Sequence, residues 1–318
     1  MAHEISIVEG RPEFFYYGEK PWHGLGTQVD HILTAREALQ SARLDWTVKK
    51  KEVFFRDEKN YYASAGAYAT VRTDIDYPLG IVSEKYIPIQ NTEAFDFIDT
   101  LVASKEAKYI TAGALFKGKK VFLLCQLPGQ IVLNNKDNIN KYLLLVNSHD
   151  GSSTMRVYFT AIRVVCNNTL NIALSASNET ETVRIHHKGD MQDKIKQARE
   201  ILGISAAYFK EMEETYAKFA NYIISMKEAT EYFKTVVNND TPQASRVRSQ
   251  IEKLYYEGAG AELAVNTLWG AYNAVVEYVD HYKVDYNAKP DQYLNSILFG
   301  SGKKLKDIAY NQALKMAV

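Results

Sequence analysis

Residues 142–170, YLLLVNSHDGSSTMRVYFTAIRVVCNNTL, constrain this chain more than any other stretch. Two apolar runs rich in β-branched and aromatic residues flank Asp150-Gly151, a strong turn dipeptide, so a β-hairpin is expected. The second run carries Arg156 and Arg163 and ends in Cys166-Asn167-Asn168-Thr169. Hydrogen-bonding groups beside a buried strand need partners in the protein or in a ligand. A polar site at the strand ends is therefore one expectation. A helix starting near Leu170 and capped by Asn168 or Thr169 is another.

The rest of the N-terminal half has the same character. Thr34 is placed to cap a helix reaching about Leu44. Residues 46–56 and 61–72 read as strands joined at a polar turn around Asp57–Asn60. Leu79–Tyr86 reads as a further strand. Asn91 or Thr92 is expected to cap the helix TEAFDFIDTLVAS, with Phe95, Ile98, Leu101 and Val102 on one face. YITAGALF and KVFLLCQLP pair across Lys117-Gly118-Lys119. About seven mostly antiparallel strands with short helices give an α+β domain.

Near residue 178 the pattern changes to helix. Met191–Met226 has apolar residues at helical spacing over many turns. Helices are expected near 228–237, at 242–257 with Thr241 as cap and Pro242 in the first turn, and at 261–282. Two short helices should flank Gly300-Ser301-Gly302. The division read from the sequence is an α+β domain over 1–185 and a helical domain over 186–318. The length of 318 residues suits two domains.

Composition excludes some classes. No apolar run is long enough to span a membrane. The opening MAHEISIVEGRPEFF lacks the basic segment and apolar core of a secretory signal. Cys125 and Cys166 sit in strand-like apolar runs and read as buried free thiols of a reducing compartment. Formal net charge is zero, so no basic excess announces a nucleic-acid partner. The 22 tyrosines against 3 tryptophans suit base stacking, cores and subunit interfaces alike.

No residue set assembles a familiar catalytic centre. The glycines of Pro21-Trp22-His23-Gly24-Leu25-Gly26-Thr27 lack the Lys-Ser/Thr of a phosphate loop and read as a tight turn, with Trp22 as a core plug. His149, Asp150, Ser152 and Ser153 are too close in sequence for a nucleophile relay. His186-His187 would face opposite sides of a strand. Trp269, Asn273, Glu277 and His281 share one helical face by spacing, with a Glu277–His281 contact expected and metal a minor alternative. No cofactor and no metal are expected. Basic residues gather at Lys49, Lys50, Lys51 and Arg56, and at Lys117, Lys119 and Lys120. If these strands are neighbours, the cations with Tyr61, Tyr62, Tyr68 and Tyr86 would form a groove for single-stranded nucleic acid. The plain alternative is a sheet edge protected by lysines.

PWHGLGT at 21–27, LGIVSEKYIPIQNTEAF at 79–95, NSHDGSSTMRVYFTAIRVVCNNTL at 147–170 and WGAYNAVVEYVDH at 269–281 resemble the phage/plasmid-like protein family. That family is a domain of unknown function found on bacteriophages, prophages and plasmids. The likeness spans nearly the whole chain, with Ala161 standing where proline is expected. It implies a bacterial cytoplasm and mobile-element DNA, in replication or recombination, but no settled activity. The fold is also loosely similar to phage single-strand annealing proteins. The expected function is thus a non-enzymatic accessory protein, a homo-oligomer that binds or anneals single-stranded DNA. Lys49, Lys50, Lys51, Arg56, Lys119, Lys120, Arg156 and Arg163 would neutralise phosphates, and Tyr61, Tyr62 and Tyr86 would stack on bases. A protein-interaction or assembly role, and an enzyme acting on nucleotides or DNA through the polar residues 147–169, are the alternatives.

Overall fold

A computed structural model describes residues 5–18, 20–21, 24–103, 107–163, 183–184, 191–283 and 301–317. It is an α+β protein whose first half is built on sheets and whose second half is helical. The large sheet has seven strands among the described residues, in the order Val183–Arg184, Arg156–Arg163, Asp137–Ser148, Lys120–Leu133, Lys108–Leu115, Phe14–Tyr17 and Thr27–Val29. Its centre is a meander of β8 (Lys108–Leu115), β9 (Lys120–Leu133), β10 (Asp137–Ser148) and β11 (Arg156–Arg163). The paired apolar runs flanking Lys117–Lys119 and Asp150-Gly151 therefore form the hairpins their turn residues imply. β3 (Phe14–Tyr17) joins β8 antiparallel and β4 (Thr27–Val29) joins β3 in parallel. At the other edge β12 (Val183–Arg184) pairs with the start of β11. A two-stranded piece, β1 (Ile7–Val8) with β2 (Arg11–Pro12), precedes it.

Alternation sorts the sheet's side chains into two layers. Val121, Leu123, Cys125, Leu143, Leu145, Val157 and Phe159 join the main core. Phe122, Leu124, Tyr142, Leu144, Val146, Tyr158 and Ile162 form a second buried cluster with Phe14 and Tyr16. Cys125 is a free, fully buried thiol, and burial pushes its pKa up. Cys166 lies outside the described residues.

Helices α1 (Ala35–Ser41) and α2 (Asn91–Ala103) pack on each other beside the sheet. Thr34 closes a full capping box with Glu37. The expected cap of α2 is displaced by one residue. Glu93 accepts from the backbone N–H of Gln90, and Asn91 is turned inward and buried.

The helical half runs α3 (Met191–Asn221), α4 (Met226–Val236), α5 (Pro242–Glu257), α6 (Leu268–Glu277) and α7 (Ser301–Ala317). The long periodic stretch ends at Asn221, because Ser225 starts a new helix with its own capping box. Thr241 and Pro242 begin α5 as their chemistry requires. The expected helix over 261–282 is three pieces: a 3-10 turn at Ala261–Leu263, α6 capped by Thr267, and a π-turn at Tyr278–Tyr282. The core is continuous with that of the sheet: α3 packs on α2, β9 and β11, and Trp269 donates from Nε1 to the buried Asp137 of β10 at 2.8 Å. No helix among the described residues is long and apolar enough to cross a membrane.

A second sheet stands apart from the first. β5 (Val48–Asp57), β6 (Asn60–Arg72) and β7 (Tyr77–Ser83) form an antiparallel ribbon of three strands, in that order. β7 rests on the turn after β10. At Gly80 a Cβ would come within 2.7 Å of the Asp150 Cα, so no larger residue fits this approach.

Candidate nucleic-acid interface and the buried cluster at its root

Directly opposed residues in an antiparallel pair share a face. Lys49 opposes Val71, Lys51 opposes Ala69, and Ala69 opposes Ile81. Lys49, Lys51 and the exposed Ile81 therefore share the outer face. Val48, Lys50, Thr70 and Arg72 share the inner one. Alternation thus splits the lysine triplet. Lys50 is half-buried, donates to the Glu84 carbonyl and lies 4.9 Å from the Tyr68 ring centroid. Lys51 is ion-paired with Asp76.

Beyond a bulge at Glu52–Phe54 the first two strands run on without β7. This tip is exposed and aromatic: Phe54 is 54%, Phe55 55%, Tyr61 70% and Tyr62 46% accessible. Phe55 opposes Tyr62, and their rings stack at 5.5 Å with an interplanar angle of 23°. Arg56 opposes Tyr61 and lies 6.0 Å from its ring, with Nε donating to the Glu58 carbonyl. Each face of the tip thus carries aromatic surface, and one carries a cation beside it.

The other expected contacts divide into two places. Lys119, Lys120, Tyr86 and Arg156 gather at the end of the large sheet against which β7 rests. Lys120 opposes Ser148, the Lys119 carbonyl accepts from the His149 backbone N–H, and Tyr86 donates to the Ser148 carbonyl at 3.0 Å. Arg156 opposes Val146, and its Nε is buried with no acceptor. Arg163 is at the opposite end of β11, opposite Ile139. All four residues of the first place are half-buried, so they offer less reach than the tip.

Under the root of the ribbon lies a cluster that sequence reading missed. The guanidinium of Arg72, 1% exposed, is held by the Glu13 carboxylate on one side and by Asp74 on the other, the latter through two bonds of 2.7 Å. It stacks 4.2 Å over the Trp46 ring. Burial pushes the Glu13 carboxyl up despite Arg72. Asp74 is also penalised by burial, but its bonds to Arg72 bring it below the usual carboxylate range. Trp46 meets His149 edge-on at 5.3 Å. His149 is wholly buried; its Nε2 is 2.9 Å from the Asn91 Oδ1, and Asn91 Nδ2 donates to the Leu44 carbonyl. That network assigns the proton to Nε2. Burial lowers the His149 pKa to about 4, so the imidazole is neutral at ordinary pH. One charged residue on an inward strand position, Arg72 beside Val48, was the only local signal of all this.

This geometry dismantles the hydrolytic alternative at 149–153. His149 points into the core toward Asn91 and Trp46. The Ser148 and Ser153 hydroxyls bond each other at 2.8 Å, and the Asp150 carboxylate accepts from the Ser152 backbone N–H. The wider enzyme alternative extends to Cys166, Asn167, Asn168 and Thr169. These residues, the helix expected at Leu170 and His186-His187 lie outside the described residues, as do Trp22 and His23. Of the PWHGLGT glycines, Gly26 has φ +106 and would place a Cβ 2.9 Å from the Phe14 carbonyl oxygen, which explains it as backbone packing.

The expected Glu277–His281 pair is not formed. The α-helix stops at Glu277, and the π-turn that follows shifts His281 off its i,i+4 register into solvent. The Glu277 carboxylate instead accepts from the Ala259 backbone N–H at 3.1 Å. Among the described residues no three His, Cys, Asp or Glu side chains are grouped to hold a metal.

A model of the family DUF932, a domain of unknown function, matches residues 78–299. No curated protein and no solved structure matches the chain.

Proposed function

The chain belongs to the DUF932 family, and from its own surfaces we propose that it is a non-enzymatic accessory protein of a bacteriophage or plasmid that binds single-stranded DNA. The observation that carries this reading is the tip of the β5–β6 ribbon. Four large aromatic side chains in solvent are costly unless they meet a partner. Arg56 beside Tyr61, and Lys49 exposed farther down the ribbon, give that partner a reason to be anionic. Unpaired bases offer flat rings to stack on, and their phosphates offer charge. Duplex DNA hides those rings. The ribbon also springs from the sheet end where Lys119, Lys120 and Arg156 lie, which gives a strand leaving the tip a cationic path. The resemblance to proteins of phages and plasmids supports the same partner, in a bacterial cytoplasm.

The test is fluorescence anisotropy with a labelled oligothymidylate. Binding at low salt is expected, with log affinity falling against log salt by roughly 0.7 per phosphate contacted. Absence of binding at low salt and micromolar protein removes the proposal.

A second reading rests on Phe54, Phe55 and Ile81, exposed on a protein of zero net charge. In that reading the ribbon joins copies of the chain or an assembly partner. Light scattering separates the two: a Phe54→Ser, Phe55→Ser variant that turns an oligomer into a monomer without changing DNA affinity favours the second.

A further inference from the structure

β9 is longer than its neighbour. β8 pairs with it only from Lys120 to Gln126, so Gln130–Leu133 pairs with β10 on one side and, among the described residues, with no strand on the other. An unpaired edge presents backbone N–H and C=O groups to any extended chain. Pro128 and Gly129, the latter at φ +74, break the first part of this edge where β9 bulges against β10. Gln130–Leu133 continues as a regular run in register with Asp137–Asn140.

Against this edge lies a half-open groove of about 1070 Å³. Its walls are apolar, with Ile32 61% and Val132 46% exposed, and Val102 and Leu127 deeper in. Its polar lining is Lys108, Gln126 and Gln130, and among the described residues no carboxylate lines it. A second ammonium, that of Lys141, stands 3.9 Å from where a Gly129 Cβ would be. Lys108 and Lys141 have aromatic rings beneath them, Tyr17 at 5.6 Å and Phe209 at 5.8 Å. Neither ammonium is ion-paired to a carboxylate among the described residues.

We propose that this groove docks an extended, acidic peptide segment of a partner protein, which adds as a short strand to the free edge of β9. Backbone pairing with Gln130–Leu133 supplies register, alternate apolar side chains enter between Ile32 and Val132, and carboxylates meet Lys108 and Lys141. This surface belongs to the large sheet and is separate from the β5–β6 ribbon. A protein partner here and DNA at the ribbon are independent of each other.

The test uses the full chain and a labelled, end-blocked peptide of about eight residues alternating Glu and Val. Its Lys/Val twin and a copy N-methylated at alternate residues serve as controls. Anisotropy should show binding of the acidic peptide, and at least about tenfold weaker binding of both controls. Lys108→Glu and Val132→Asp, with unchanged thermal melts, should each weaken the acidic peptide about tenfold or more. Equal binding of the acidic and basic peptides, undiminished binding of the N-methylated copy, or no binding of the acidic peptide to folded protein overturns the proposal. So does displacement of the acidic peptide by oligothymidylate, which would assign the groove to nucleic acid.

Discussion

At its root the β5–β6 ribbon presents Arg72 to Glu13, Asp74 and Trp46, sealed from water. At its tip the same two strands hold Phe54, Phe55, Tyr61 and Tyr62 in solvent. The root is polar and buried; the tip is apolar and exposed. Each inverts the usual placement of its residue types. The root tolerates inversion because its charges meet opposite charges at hydrogen-bonding distance, so the desolvation cost is offset by geometry. At the tip, among the described residues, only the Phe55–Tyr62 stack and Arg56 beside Tyr61 answer the exposed rings. A buried guanidinium fixed from two sides makes a rigid base, and a rigid base is what lets two strands project a short aromatic surface.

Four measurements break or sharpen this contrast. Arg72→Met should cost about 3–5 kcal/mol, because it strands the buried Glu13 carboxylate and frees Asp74. Denaturant melts read it. A loss under 1 kcal/mol would mean that the root is not what holds the ribbon.

Acid should weaken the root next. The His149 pKa is about 4 in the fold against 6.5 for the unperturbed group. Between those values the unfolded chain binds the proton and the native chain does not, so stability falls as pH drops from 6.5 toward 4. The full loss is about 3 kcal/mol. Urea melts of wild type and His149→Gln at neutral and acid pH isolate it: the variant should lack that share of the decline.

The tip should behave in the opposite way. Tyr61→Ser and Phe55→Ser should leave stability within about 0.5 kcal/mol. Each should weaken oligothymidylate by roughly 1–3 kcal/mol of lost stacking. Stability loss without affinity loss would reverse the two roles.

The smallest effect compares neighbours. Lys49→Ala should reduce the salt slope of DNA binding by about 0.7. Lys50→Ala should not change it, since Lys50 is turned inward onto Tyr68 and Glu84. Equal effects would show that the outer face is not the binding face.

Local chemistry made much of the fold legible. Thr34 with Glu37, Thr241 with Pro242 and Asp150-Gly151 each act within a few residues, and each does in space what its sequence implies. The root cluster was hidden because Glu13, Trp46, Arg72, Asn91 and His149 come from five separate elements or turns. No window of sequence holds more than one of them. Asn91 shows the same limit: its residue type fits a helix cap, but a buried imidazole and the Leu44 carbonyl compete for it and win. The tip stood in the sequence as two aromatic pairs, Phe54-Phe55 and Tyr61-Tyr62. Their exposure could not be read there, because it depends on where β7 ends.

The hydrogen bond from Trp269 to Asp137 joins groups 132 residues apart. At synthesis rates of 5–20 residues per second, the indole follows its carboxylate out of the ribosome by roughly 7–26 s. During that interval β10 and β11 are completed, and the Asp137 end of the meander still lacks this donor. Slowing translation between these codons should prolong the exposure of a half-finished sheet. Truncations that stop short of Trp269 should yield chains that chaperones hold rather than release.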